Sequence, residues 1–60
     1  MEPNEIQTLR LKLVGAAEKH TKEASNAMQE ADYKRAEMAL RCAVDQLTII
    51  GFLDAVFVTE

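Results

Sequence analysis

From Ile6 to Ala31 the chain repeats one rhythm: Ile6, Leu9, Leu13, Ala16/Ala17, His20, Ala24, Ala27/Met28 and Ala31 follow each other at steps of three and four. That spacing puts them on one narrow stripe of an α-helix. The rhythm breaks once, at Ala31-Asp32, and restarts as Tyr33, Ala36, Leu40, Ala43, Leu47, Ile50 and Phe57. Two long helical periods with a single short interruption predict an all-α chain. Short helix connections make antiparallel neighbours, so the expectation is a two-helix hairpin. In outline it is one domain over 1–60, with helix 1 at about 4–30, a turn at 31–32 and helix 2 at about 33–56.

Local chemistry agrees with this division. Asn4 is a candidate N-cap, with Pro3 ahead of it and Glu5 in the first turn, where the helix dipole favours a carboxylate. Asp32 is a good N-cap for the second helix. Folding at that turn pairs Ala27 with Ala36, Ala24 with Ala39, His20 with Ala43, Leu13 with Ile50 and Ile6 with Phe57. Small residues then meet near the turn and large ones at the open end, so the stripes agree in size as well as in period. Gly51 interrupts this pattern, because glycine inside a helix costs about 1 kcal/mol relative to alanine. Leu53, Val56 and Phe57 nonetheless keep the helical spacing, and strand alternation in FLDAVFV is poor. The helix is expected to run on to about Val56.

The two helices differ in one respect. Helix 2 carries a second apolar series, Met38, Cys42, Ile49, Leu53 and Val56, beside its first. Together the two series span about half the helix circumference, more than one neighbouring helix covers. Size points the same way. A chain of 60 residues buries only about 60% of its unfolded surface and needs a support such as disulfides, a metal or oligomerisation. With one cysteine, Cys42, and one histidine, His20, neither an internal disulfide nor a Cys/His metal cluster is available. The expectation is a homo-dimer in which two hairpins complete a four-helix bundle, or a larger helical oligomer. Met38, Cys42, Ile49, Leu53 and Val56 are its predicted interface.

No constellation for catalysis, cofactor binding or metal binding is present, and the chain reads as a non-enzyme. Four polar residues are candidates for contact with a partner or ligand: His20, Asp54, Arg10 and Arg41. His20 sits in an apolar stripe. Asp54 occupies a stripe position otherwise held by Leu47, Ile50 and Phe57, where it could fix register or receive a partner's Arg or Lys. Arg41 adjoins Cys42 in sequence, but neighbours at i and i+1 do not share a helix face, so the thiol is not activated by it.

Seven Lys and Arg against ten Asp and Glu give a net charge of −3, which argues against non-specific nucleic-acid binding. All seven basic residues lie in the first 41 positions, together with seven acidic ones. The opening MEPNEIQ lacks the basic-then-apolar layout of a signal peptide, and the apolar stretch Leu47–Val58 is too short for a membrane span. A cytoplasmic location is therefore expected.

The run Ala31-Asp32-Tyr33-x-x-Ala36, followed by Leu40 and Ala43, resembles the turn and second helix of a tetratricopeptide repeat. The preceding helix has His20, Glu23, Ala24 and Ala27 where that repeat carries Trp, Leu, Gly and Tyr. The resemblance implies a helical hairpin and no more. The function expected from all this is protein–protein binding by a small self-associating helical protein: a regulator, inhibitor or assembly factor of a larger partner. The alternatives are an RNA-binding bundle and a small-ligand binder with a site between subunits.

Overall fold

A computed structural model describes residues 3–58. It contains two antiparallel helices, α1 (Pro3–Gln29) and α2 (Tyr33–Leu53), and a single turn of π-helix over Asp54–Val58 continues α2. No strand occurs among the described residues. α1 begins at Pro3, so Asn4 lies inside the first turn and does not cap it; a proline fits there because the first helical N–H has no acceptor anyway. The Asn4 carbonyl accepts the Thr8 hydroxyl at 2.8 Å.

The turn is closed from both sides. Asp32 N–H donates to the Ala27 carbonyl at 2.8 Å and Ala31 N–H to the Met28 carbonyl at 3.0 Å, the paired bonds of a Schellman motif. That motif needs a left-handed residue, and Ala31 supplies it at φ 59°. On the other side Asp32 caps α2, its carboxylate accepting the Arg35 N–H at 3.2 Å. Arg35 reaches back to Glu30 at 3.1 Å and to Asp32 at 3.7 Å. Every orphaned polar group named here therefore finds its partner within six residues, which is why the sequence break was readable.

Between the helices lies a seam of alanines. Ala17, Ala24 and Ala27 of α1 and Ala36, Ala39 and Ala43 of α2 are buried, with Ile6, Ile50 and Leu53 closing the open end. Gly51 lies within α2 and does not end it.

Ala36, Ala39, Ala43 and Ile50 face α1 as expected, but the rest of the predicted stripe does not. Tyr33, Leu40 and Leu47 belong to the predicted stripe, yet they are 63%, 47% and 56% exposed, and Phe57 is also exposed. In their place Leu53 is buried. Relative to the predicted stripe the helix is rolled by roughly half the angle between successive residues. The reason is steric: backbones held close by alanine on both sides leave no room for leucine or tyrosine between them. Leu53, expected at an oligomer interface, is consequently only 5% exposed and belongs to the hairpin's own core.

Two stability predictions follow from this packing. Ala39→Leu should lower stability by about 1–3 kcal/mol through overpacking, while Asn26→Leu on the exposed side of α1 should have little effect. Ala31→Gly should raise it by roughly 1 kcal/mol, because glycine accepts the left-handed conformation without the alanine penalty. Thermal melts followed by far-UV circular dichroism measure both.

Candidate functional site

The polar candidates separate in space. Arg10 and Asp54 come together at the open end: Nε donates to Oδ1 at 2.7 Å and Nη2 to Oδ2 at 3.1 Å. Both side chains are about 40% exposed. Asp54 thus finds its arginine in the same chain, opposite it in an antiparallel register one residue from the expected one. The bidentate fork binds both carboxylate oxygens in a fixed plane. That hydrogen bond is the main cause holding the Asp54 carboxyl below its ordinary 3.8; partial desolvation opposes it, and the guanidinium charge reinforces it. The same pairing holds the Arg10 guanidinium above its usual value.

His20 is half-buried, and its Nδ1 lies 3.1 Å from Gln46 Oε1, the contact that Gln46 makes from the core face of α2. Ten residues, about 15 Å of helix, separate His20 from Arg10. Arg41 is exposed and bonds Glu37 one turn back at 3.3 Å. The four candidates therefore do not converge within one chain, and Arg10 and Asp54 are bonded to each other. Among the described residues no group of three or more His, Cys, Asp or Glu could hold a metal ion. No helix among them is long and apolar enough to cross a membrane.

What the molecule does present is apolar surface. α2 carries two exposed flanks, one on each side of its buried face. The first holds Met38, Cys42 and Ile49, with Val56 of the following π-helical turn, the predicted interface series without Leu53. The second holds Tyr33, Leu40, Val44 and Leu47. On this second flank Met28, Tyr33, Leu40 and Val44 line an open trough of about 640 Å³. Farther along, Leu47 and Val14 line a hollow of about 420 Å³ with Thr21. Sequence reasoning passed over Val44, and it placed Tyr33, Leu40 and Leu47 inside the hairpin. The signal was present: Tyr33, Leu40, Val44 and Leu47 keep helical spacing, but the seam's close approach had to be known before they could be assigned to the outside.

No protein-family model, curated protein or solved structure matches this chain.

The ion pair yields a pH prediction. A depressed carboxyl contributes stability above its unfolded value and loses it as pH falls through the folded one. Asp54→Asn should therefore lower the melting temperature modestly at neutral pH, and less so in high salt, because the pair is partly exposed. The difference from wild type should fade as pH drops below 3.8. A difference that persists unchanged in acid would assign the effect to packing.

Proposed function

We propose that this chain is a self-associating helical hairpin that acts by binding a larger protein, as a regulator, inhibitor or assembly factor. One observation carries the reading. Among the described residues, six of the nine buried ones are alanines, only Ile6, Ile50 and Leu53 among them are large, and the other large apolar residues of α2 stand outside. A soluble monomer rarely leaves contiguous apolar surface uncovered, and such surface marks interaction sites. Two flanks provide for two kinds of contact, one with a copy of the chain and one with a different protein. A four-helix bundle formed from two hairpins is the simplest assembly that covers one flank on each. Mixed charge over both helices favours a protein partner over nucleic acid, whose phosphates require concentrated positive charge.

Sedimentation equilibrium at micromolar concentration should show a dimer or larger species, and a stable, well-folded monomer would refute self-association. Mixed RNA and duplex DNA should not be retarded by the protein at physiological salt. Salt-sensitive sub-micromolar binding that is lost in the Lys12→Glu, Lys19→Glu double variant would instead establish a nucleic-acid function.

A further inference from the structure

We infer that the flank formed by Val14, Met28, Tyr33, Leu40, Val44 and Leu47 receives a second copy of the chain, docked about a two-fold axis with the two α2 helices antiparallel. This rests on the self-association reading and assigns its face and orientation.

Area points to a partner of this size. The hairpin exposes 4658 Å². A compact monomer of 6.7 kDa exposes about 3,900 Å², so the excess is roughly 750 Å². A standard stable interface takes about 800 Å² from each partner. One side of the hairpin, 43 by 15 Å, projects roughly 650 Å², so covering one full face removes most of the excess.

The flank is also built as a continuous strip. Val14, Thr21 and Met28 recur every seven residues on α1, as Tyr33, Leu40 and Leu47 do on α2. Val14 and Thr21 line the hollow with Leu47, and Met28 lines the trough with Tyr33 and Leu40. Thr21 brings no unmet demand, since its hydroxyl already donates to the Ala17 carbonyl at 2.7 Å. Gly51, four residues beyond Leu47, extends the strip as bare backbone. A Cβ there would meet nothing within the chain, so no contact inside the hairpin requires its absence.

Charge selects a second copy as the occupant. Glu37, Arg41 and Asp45 edge the trough along α2 as negative, positive, negative. A two-fold axis passing near residue 43 sets Arg41 opposite Asp45 of the second copy and, by symmetry, repeats the pair. The same axis sets Leu40 against Leu47 of the second copy. One operation matches Leu40 with Leu47 and Arg41 with Asp45, while Glu37 stays beside Arg41 of its own helix at 3.3 Å.

Sedimentation equilibrium with circular dichroism tests this on four proteins beside wild type. Leu40→Lys should raise the dimer dissociation constant more than about a hundredfold, because it buries an unpaired ammonium, while Met38→Lys on the opposite flank should leave it unchanged. Arg41→Asp should weaken the dimer about tenfold, and Arg41→Asp with Asp45→Arg should restore it. The charge swap uses exposed side chains, so it reports even if the Leu40→Lys hairpin unfolds on dissociation. Dissociation by Met38→Lys with Leu40→Lys still dimeric would move the interface to the other flank and leave self-association standing. A weakened Arg41→Asp dimer that the swap fails to restore would overturn the antiparallel two-fold. A monomeric wild type would remove both this inference and the reading beneath it.

Discussion

Close approach of the two backbones along the alanine seam is the constraint from which the other features follow. Ala17, Ala24 and Ala27 on one side and Ala36, Ala39 and Ala43 on the other leave only methyl groups between the helices. Such a seam gains little apolar burial per residue, since alanine has little side chain to remove from water. It gains instead from dispersion between closely packed backbones and from side chains that lose no rotamer entropy when buried. The consequence is a hairpin whose orientation is well determined and whose hydrophobic stabilisation is incomplete. Beside the alanines, leucine, tyrosine and methionine border the gap, and only at the open end does Leu53 enter it.

This explains what the sequence disclosed and what it withheld. Helical period, the single break and the antiparallel arrangement could be read directly, because each depends on local spacing and on caps within a few residues of Asp32. The register came within one residue at the Arg10–Asp54 pair, since opposing side-chain sizes constrain axial position. The rotation of α2 about its own axis was a different matter. An apolar arc covering half a helix does not state which part faces the neighbour, and hydrophobicity alone favours pointing Leu40 and Leu47 inward. Volume decides otherwise: the alanines keep their expected place in the seam, and Leu53 joins the core at the open end while Leu40 and Leu47 stay outside. Binary patterning locates an arc; packing chooses the part of it that is used.

The same distinction applies to the polar candidates. Arg10 and Asp54 could each be singled out as unusual for its position, but their pairing is a tertiary fact requiring both register and rotation. Once formed, the pair joins the two helices where the alanine seam gives way to larger residues. It adds a planar, directional constraint where apolar contacts tolerate sliding. His20 and Gln46 make a second cross-helix contact nearer the middle. Polar contacts of this sort contribute modestly to stability, but each is specific to one alignment of the helices.

A well-aligned hairpin with much of its apolar surface outside is suited to a particular task. In the association proposed above, the contacting residues would sit on two helices already packed together, which limits the freedom lost on docking. Gly51 is consistent with that division of roles. Within the chain it weakens α2 and relieves no crowding, since a side chain there would meet nothing. The alanine seam that aligns the helices and the exposed strip beside it are therefore two results of one arrangement. Small residues bring the helices together, and the large residues thereby displaced form the exposed apolar flanks of α2.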